Sequence, residues 1–343
     1  MVRAICMEIR IQQQYAPGTE ITSIYIGGGT PSLLNEKDMD FLFYELGQFF
    51  TWQSDIEITL EANPDDIIRE KTTLWQKYGI NRLSIGIQSV FDPHLLFMKR
   101  AHDSRQAKDC IDVAQGSGFK NITCDLIYGI PGSTTMELEE NLSFLLSKNI
   151  PHISAYALTI EEKTLLHHQV KKNIYPIPDD KTMEEQFITL ANILKTAGFD
   201  HYEISNFGKP GFHAVHNTRY WQGDSYLGLG PSAHSYTGSS RRWNVANNAL
   251  YMKSIFDNKI PCEEEFLTTE NIYNEYVMTG LRTSKGVDIQ KIQSFGPDVE
   301  RHFLTNSKPF IEKGLVFFDL TSWKLTEKGK LFADSIASDL FIV

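Results

Sequence analysis

Short apolar runs alternate with helix-like segments along the first half of the chain. The five runs are TSIYIGGG, DIEITLEAN, NRLSIGIQS, NITCDLIYG and HISAYALTI. A helical spacing of apolar side chains follows each run, which is typical of parallel βα units. The helix after the first run begins at Asn35, and Thr134 and Glu137 after the fourth run have the spacing of a capping box. We therefore expect an α/β fold with a parallel sheet or barrel, whose strands are apolar on both faces because helices cover them.

Glycine and polar residues follow the apolar runs. In a parallel sheet or barrel the carboxyl ends of the strands meet at one edge, and ligands bind there. The residues that we place at this edge are Gly27, Gly28, Gly29, Thr30, Glu61 to Pro64, Gln88, Asp125 with Gly129 to Gly132, and Ala157 with Glu161. Three successive glycines leave main-chain groups uncovered, so a ligand can lie directly on them, and a tight turn is the alternative reading. This edge predicts a site for a small polar molecule.

The pattern changes after about residue 205. Residues 206–262 are rich in glycine, aromatic residues and histidine, include the stretch HNTRYW and have little helical periodicity, so we expect an ordered connecting region. Residues 263–343 read as helices, a two-stranded hairpin and a last helix, which is the order of a winged-helix domain. With residues 1–205 as the βα part, the sequence predicts three parts.

Composition limits the classes of function. The chain has 343 residues, and its net charge of −10 disfavours nucleic acid as a partner. No apolar run approaches the ~18 residues of a membrane span, so contact with membrane-bound partners would be peripheral. The four cysteines, Cys6, Cys110, Cys124 and Cys262, are scattered along the chain. They predict neither a disulfide framework nor a thiolate metal site, and they favour the cytoplasm.

Six motifs follow one another in the βα part: IGGGTPSLL, LEANPDD, LSIGIQS, the turn KRAH at residues 99–102, DLIYGIPG and SAYALTIEE. In this order and spacing they resemble the radical S-adenosylmethionine (SAM) proteins of the oxygen-independent coproporphyrinogen III oxidase family. The stretches HNTRYW and LGLGPSAHS resemble the haem chaperone branch of that family, and the resemblance covers nearly the whole chain. It implies a partial (β/α)6 radical-SAM-type barrel that lacks its first strand, followed by a winged-helix-like C-terminal domain.

The resemblance implies a role for each residue at the strand edge. Gly28, Gly29 and Thr30 would receive the methionyl amino group of SAM, and Glu61 would face the cationic end of the cofactor. The remaining residues are Gln88, Arg100 and Asp125, which would hold the carboxylate and the ribose hydroxyls, and Ala157, which would lie beside the adenine. Taken singly, Glu61 and Asp125 also suit a solvated or helix-capping carboxylate.

One departure from the family concerns the iron–sulfur cluster. Family members carry CxxxCxxC, whose three thiolates bind a [4Fe-4S] cluster, and this sequence has no such motif. The isolated cysteines read as core residues. The helix at Met1 corresponds to the one that follows the cluster loop, so we expect a late start codon or a truncated chain. The alternative is a variant without radical chemistry, although its cofactor edge is intact. We expect this chain neither to bind the cluster nor to cleave SAM.

A candidate haem ligand lies in the stretch HNTRYW. His216 offers an imidazole beside Tyr220 and Trp221, whose flat rings suit a porphyrin face. His213 and His234 are alternative ligands, and each of the three also suits a structural hydrogen-bonding role.

The resemblance therefore implies a haem-binding chaperone that transfers haem to acceptor proteins, with a radical-SAM core as a regulatory or reducing centre. The alternative is an enzyme, the oxygen-independent oxidase that decarboxylates coproporphyrinogen III. A nucleic-acid binder built on the C-terminal domain is disfavoured, because the lysines there are interleaved with acidic residues.

Overall fold

The computed structural model describes residues 1–12, 20–160, 165–172, 175–176 and 179–342. The chain divides into two compact units. Unit 1 comprises residues 1–24, 34–57 and 215–343, and unit 2 comprises residues 25–33 and 58–214. No helix in these described stretches is long and apolar enough to cross a bilayer.

The first part of the chain alternates helices and strands. Its elements are α1 (Val2–Gln12), β1 (Glu20–Ile26), α2 (Glu36–Phe49), β2 (Thr51–Ala62), α3 (Arg69–Lys77), β3 (Arg82–Gln88), α4 (Asp92–Phe97), α5 (Ser104–Gly116), β4 (Asn121–Tyr128), α6 (Thr135–Ser147), β5 (His152–Ala157), α7 (Leu165–Lys171), α8 (Asp180–Thr196), β6 (Asp200–Glu203) and β7 (Asn206–Gly208). The five strands expected from the apolar runs are β1 to β5. Helices α2 and α6 begin at the predicted caps Asn35 and Thr134, each with a capping box.

The second part of the chain contains shorter elements. They are α9 (Val215–Trp221), β8 (His234–Tyr236), β9 (Ser240–Asn244), α10 (Asn248–Phe256), β10 (Cys262–Phe266), α11 (Thr269–Leu281), β11 (Val287–Asp288), α12 (Ile289–Ser294), α13 (Pro297–Glu312), β12 (Val316–Phe318), β13 (Ser322–Leu325), α14 (Glu327–Lys330) and α15 (Ala333–Asp339). The segment expected to be mainly ordered loop therefore holds two helices and several strands. Strands β11, β13 and β12 form the small sheet that a winged-helix domain requires.

A seven-stranded sheet has the order β1-β2-β3-β4-β5-β7-β6. Strands β2 to β5 pair in parallel, whereas β7 pairs antiparallel with both β5 and β6. The hairpin of β6 and β7 was not expected, because HYEISNFG has no glycine-based two-residue turn. Parallel pairing places the carboxyl ends of β2 to β5 at one edge, which is where the site residues were expected.

The sheet of unit 2 is polar on one face, so the expectation of strands apolar on both faces is wrong. Residues at every second position point to the same face, and paired residues of parallel strands share it. The register places these polar residues together: Thr59 and Glu61 on β2, Arg82 and Ser84 on β3, Thr123 and Asp125 on β4, and His152 and Ser154 on β5. Several of them hydrogen-bond to one another, as Arg82 Nη2 does to Thr123 Oγ1 over 2.6 Å. Thr59 Oγ1 and His152 Nδ1 are buried without a hydrogen-bond partner among the described residues. The opposite face carries apolar residues such as Leu60, Ile85, Cys124 and Ile153.

Unit 1 is organised around a buried carboxylate on α1. Glu8 is fully buried and accepts hydrogen bonds from Gln12 Nε2 at 2.8 Å, Gly230 N at 2.7 Å, Asn244 Nδ2 at 2.6 Å and Tyr251 Oη at 2.6 Å. Four donors satisfy a group that would otherwise be costly to bury. The carboxylate thereby joins α1 to the LGLGPSAHS stretch, β9 and α10.

Candidate functional site

Glu61 lies at the end of β2, and both of its carboxylate oxygens are bound by the end of β1. Tyr25 Oη donates to Glu61 Oε1 over 2.7 Å, and the main-chain N–H of Gly28 donates to Oε2 over 3.0 Å. Burial raises the pKa of Tyr25, and the negative charge of Glu61 raises it as well. The phenol therefore stays protonated and can donate its hydrogen. The side chain of Glu61 is therefore fixed in orientation before any ligand arrives.

The three glycines of GGG have different roles. A Cβ on Gly27 would lie 2.5 Å from Tyr25 Cε1 and 2.6 Å from Glu61 Oε1, so Gly27 makes room for the pair. Gly28 has φ +73°, a conformation that disfavours other residues. Gly29 has no heavy atom within 4 Å of its Cβ direction. Only Gly28 and Gly29 leave open space of the kind expected for a ligand on the main chain.

Gln88 and Arg100 meet around Gly86 near the end of β3. Gln88 has φ +62° in a register shift between β3 and β4, an unfavourable conformation for a residue with a side chain. Arg100 Nη2 donates to Asn63 Oδ1 over 2.9 Å and to Gly86 O over 3.4 Å. A Cβ on Gly86 would lie 3.1 Å from both the Arg100 Nη2 and the Gln88 Nε2 atoms. The two predicted site residues are therefore neighbours.

Asp125 on β4 lies on the same face as Glu61. Its two oxygens are each 3.4 Å from Ser84 Oγ, and its register partner on β5 is Ser154. Burial and, to a smaller extent, the negative charge of Glu61 raise the pKa of Asp125 to about 7, although hydrogen bonds from Ser154 and Ser84 oppose them. The side chain is half-buried, so part of it remains open to a ligand. A carboxyl group in this setting can donate or accept, depending on its protonation.

The structure thus brings Gly28, Glu61 and Asp125 together, and it brings Gln88 and Arg100 together. Thr30, which follows β1, and Ala157, the last residue of β5, are both exposed, and the described contacts include no side-chain hydrogen bond from Thr30 to the other site residues. The predicted residue Glu161 lies outside the described residues. Sequence reasoning missed Tyr25. The signal for it was its position on β1, two residues before GGG and therefore close to the predicted ligand-binding edge. Asn63 belongs to the predicted stretch from Glu61 to Pro64, and it accepts the hydrogen bond from Arg100 Nη2.

The donor set of this edge fits SAM. The Nε atom of Arg100 is buried and has no hydrogen-bond partner among the described residues, so it can serve a carboxylate ligand. Glu61 supplies a negative charge for a sulfonium or ammonium group, and Gly28 and Gly29 leave main-chain atoms accessible. Bound SAM would bring a cationic sulfonium centre; what this chain's residues supply is orientation, through the pairs described above.

The cysteines do not fit a [4Fe-4S] cluster. Cys6, Cys110 and Cys124 are buried free cysteines. Burial raises the pKa of Cys110 to about 12 and that of Cys124 well above its usual value, whereas cluster ligands are thiolates. Cys262 is partly exposed on β10, and its Sγ lies 3.1 Å from Arg242 Nη2. Within the described ranges, no three His, Cys, Asp or Glu side chains are placed to hold a metal ion.

His216 lies in α9 of unit 1 and is anchored on two sides. Its Nδ1 is 3.0 Å from Ser23 Oγ, and its main-chain N–H donates to Glu57 Oε1 over 3.0 Å. Glu57 also accepts from the N–H of Val215 over 3.1 Å, so one carboxylate fixes the start of the helix. Burial lowers the pKa of His216, with Glu57 opposing this effect more weakly. The ring is therefore neutral near pH 7, the state that binds a metal.

The two alternative histidines have different surroundings. His213, in unit 2, stacks on Tyr202 with ring centroids 4.3 Å apart, and its Nε2 lies 3.1 Å from Asp200 Oδ2. His234, in unit 1, is exposed on β8 and stacks against Trp243 with centroids 6.4 Å apart.

An aromatic surface continues from α9. Tyr220 is 46% exposed and contacts Trp221 edge-on, and its ring centroid lies 5.4 Å from that of Tyr226. The guanidinium of Arg282 lies 5.3 Å from the centroid of the Trp221 ring. These rings form a partly exposed aromatic cluster, and Tyr220 and Trp221 lie in the same helix as His216.

Comparison with known proteins identifies the family. A model described as the Radical SAM superfamily matches residues 8–145, and one described as the HemN C-terminal domain matches residues 267–332. The heme chaperone HemW of Bacillus subtilis is 32% identical over 320 residues, which span 92% of this chain and 84% of that protein. This chain belongs to the HemW family of radical SAM proteins. The HemW of Escherichia coli is 31% identical over 333 residues, covering 96% of this chain and 86% of that protein.

A solved structure shows the same fold as this HemW-family chain. Coproporphyrinogen III oxidase (HemN) from Escherichia coli, a radical SAM enzyme, superposes with a TM-score of 0.85 over 99% of this chain and 82% of that chain. The sequence identity is 21%, so the likeness concerns the fold alone. The predicted α/β fold of radical-SAM type with a small C-terminal domain is confirmed, and so is the predicted family.

Proposed function

We propose that this chain binds haem and transfers it to acceptor proteins, and that unit 2 holds SAM at the carboxyl edge of its sheet. Family membership supports the first part, because relatives at 31–32% identity are heme chaperones by name. The observation that carries the haem assignment within the chain is the environment of His216. A neutral imidazole is fixed there by Ser23 and Glu57, in a helix that also presents Tyr220 and Trp221.

The proposed SAM contacts follow the polarity of each group. Glu61 would face the cationic part of the cofactor, while the buried Nε of Arg100 would bind its carboxylate. Gln88 and Asp125 would bind hydroxyls, and the main chain at Gly28 and Gly29 would take the amino group. The remaining proposed contacts are the Thr30 hydroxyl and the exposed Ala157 beside the adenine. The cysteines of this chain would take no part.

We keep the division at residues 205 and 262 as a proposal about function. Residues 1–205 would serve the cofactor, residues 206–262 would carry the haem ligand, and residues 263–343 would form the accessory winged-helix-like domain. The proposed partners are haem and haem-acceptor proteins, and the proposed compartment is the cytoplasm, with acceptors at a membrane reached peripherally.

Haem titration tests the proposal directly. The full chain is titrated with haemin under reducing and oxidising conditions, and the Soret band is followed for the wild type, His216→Ala and His234→Ala. We expect His216→Ala to lose about tenfold or more in affinity, as for a lost axial ligand, while His234→Ala binds as the wild type does. Wild-type binding by His216→Ala, with loss in His234→Ala, would transfer the ligand role to His234.

Haem transfer and catalysis are separated by a second pair of measurements. The haem-loaded chain is mixed with apomyoglobin as a probe acceptor, and transfer is followed by the myoglobin spectrum. A version of the protein that carries the family's CxxxCxxC motif is incubated with coproporphyrinogen III, SAM and a reductant. We expect transfer without decarboxylated product, and product formation without transfer would favour the oxidase instead.

A further inference from the structure

The segment after β3 leaves the proposed cofactor edge at Gln88 and returns to it at Arg100. Between these residues it forms α4 (Asp92–Phe97) and a turn in which Lys99 has φ +52°. Both ends carry side chains proposed to touch SAM. Gln88 is the last residue of β3, where the pairing with β4 shifts register, and Arg100 lies outside regular structure. Side-chain contacts therefore contribute to holding both residues, because chain outside regular pairing gains rigidity from such contacts.

His102 fastens the returning end to the sheet. Its side chain is 3% exposed, and its Nε2 lies 3.1 Å from the carbonyl oxygen of Ile87, the residue next to Gln88. Its Nδ1 is buried and has no partner in the described part of the chain. With Nδ1 bare, the ring is the neutral tautomer that donates from Nε2. Arg100 is two residues away and reaches Gly86 O on the same strand.

Asn141 fastens the leaving end. This α6 residue is 4% exposed, and its Oδ1 accepts the main-chain N–H of Val90 over 2.7 Å. The same Oδ1 lies 3.3 Å from Ser89 Oγ, and Ser89 also contacts His94 Nδ1 over 2.9 Å. Asn141 Nδ2 is directed away, to the carbonyl of Glu137 over 2.8 Å. These bonds surround the residue that follows the unfavourable φ of Gln88.

We propose that His102 and Asn141 are positioning residues for SAM: they hold Arg100 and Gln88 in place at the carboxyl end of β3 without touching the ligand themselves. This inference rests on the proposed SAM site and adds the means by which that site is held. His102 and Asn141 bind opposite ends of one segment, so loss of either set of hydrogen bonds should make both Gln88 and Arg100 more mobile. The bond of His102 to Ile87 O is the more direct of the two, because it lies beside both site residues.

The test compares loss, rescue and a matched control. His102→Leu and the less disruptive His102→Asn both remove the bond to Ile87 O, because the Asn amide is too short to reach it. His102→Gln restores a donor near the position of Nε2. His201→Leu is the control, since His201 Nε2 makes the same type of bond to Ile204 O over 3.0 Å on β6. At the other end of the segment, Asn141→Leu removes the acceptor of the Val90 N–H, whereas Asn141→Asp keeps an oxygen acceptor there.

Two readouts are used on the full chain. Hydrogen exchange measured by mass spectrometry without any ligand should accelerate about fivefold or more in residues 86–101 of the loss variants, and not in His102→Gln or His201→Leu. SAM affinity measured by calorimetry should fall about tenfold in the loss variants, as for one misplaced charge-assisted hydrogen bond. In His102→Gln and His201→Leu it should stay within about twofold of the wild type.

The outcomes separate the two proposals. Unchanged exchange and affinity in His102→Leu and His102→Asn overturn the positioning role, and so does an equal loss of affinity in His201→Leu. If the wild-type chain binds no SAM, the proposed function of unit 2 fails together with the role towards SAM. Faster exchange in the loss variants alone would then leave His102 as a structural fastening and nothing more.

Discussion

Tyr25 donates its hydroxyl hydrogen to Glu61 across the ends of β1 and β2, over 2.7 Å. The bond accounts for the first glycine of GGG, since any side chain at Gly27 would occupy the space of this pair. It also means that the carboxylate proposed to face the cation of SAM is held by the protein before binding. A preorganised carboxylate loses less conformational freedom when a ligand binds.

The separate roles of the glycines give a paired prediction. Gly27→Ala places a methyl group 2.5 Å from Tyr25 Cε1, and we expect it to lower the free energy of unfolding by about 1 to 3 kcal/mol, as overpacking does. Gly29→Ala meets no atom within 4 Å, and its effect on stability should stay within about 0.5 kcal/mol. Urea denaturation of both variants measures the difference.

SAM binding by the same two variants distinguishes the packing role of Gly27 from the ligand contact proposed at Gly29. Gly29→Ala should weaken SAM binding although its stability is normal, because the ligand is proposed to lie on that main chain. Normal SAM affinity in Gly29→Ala would move the ligand away from GGG. Equal stability of the two variants would contradict the role assigned to Gly27.

Asp125 predicts a specific dependence of stability on pH. Its pKa is about 7 in the folded chain against a usual 3.8, so the folded state binds the extra proton between these values. The free energy of unfolding should therefore fall as pH rises from about 4 to about 7, and no further change from this group is expected above that range. Because the side chain is half-buried, we expect a total effect of about 1 to 3 kcal/mol, less than the full shift would give.

A variant comparison isolates this effect from other titrating groups. The difference in stability between the wild type and Asp125→Asn, measured by urea denaturation at several pH values, should decline through the stated window. In a Glu61→Gln background the decline should end at lower pH, because the charge of Glu61 raises the pKa of Asp125. The charge of Arg82, which lowers this pKa, remains in that background. Parallel stability curves for wild type and Asp125→Asn would show that Asp125 titrates normally.

Glu57 should matter for both stability and haem binding. It is 9% exposed and accepts two main-chain hydrogen bonds at the start of α9. We expect Glu57→Ala to cost about 1.5 to 3 kcal/mol, the range for hydrogen bonds to a charged group, and to weaken haem binding because His216 loses its anchor. Glu57→Gln keeps an acceptor and should lose less of both. Normal haem affinity in a destabilised Glu57→Ala would separate the anchor from the ligand.

The strand positions and helix caps could be predicted from sequence, because they depend on local chemistry. The capping boxes at Asn35 and Thr134 are examples, each formed by residues three positions apart. The alternation in RLSIGIQ was also visible, with Arg82 and Ser84 at every second position. It was misread because whether a polar strand face is buried depends on partners from other strands, such as Thr123 and Asp125.

The site was predicted only in part, because some of its residues lie in local motifs and others are recognised only by their distant partners. Glu61 and Asp125 were found through the motifs, and their neighbours in the fold are consistent with a shared site. Tyr25 and His102 were not found, since a hydroxyl and a ring nitrogen show their role only when Glu61 and Ile87 O are seen beside them. Long-range pairs of this kind carry no local sequence signal.

Glu8 is the clearest case of such a long-range pair, and it gives the last prediction. Its four donors include groups 222, 236 and 243 residues away, on Gly230, Asn244 and Tyr251. Removing the carboxylate in Glu8→Ala leaves these donors buried without an acceptor, and we expect a loss of about 3 to 5 kcal/mol in the free energy of unfolding. Glu8→Gln keeps one oxygen but turns an amide N–H toward a donor, so it should lose about 1 to 3 kcal/mol.

The exposed Glu139 on α6 is the matched control, and Glu139→Gln should stay within about 0.5 kcal/mol of the wild type. Chemical denaturation followed by circular dichroism measures all three variants. The order Glu8→Ala, Glu8→Gln, Glu139→Gln is expected because the cost follows the number of donors left unsatisfied rather than the loss of negative charge. If Glu8→Gln and Glu139→Gln were equally stable, the buried carboxylate would not be what joins α1 to the LGLGPSAHS stretch.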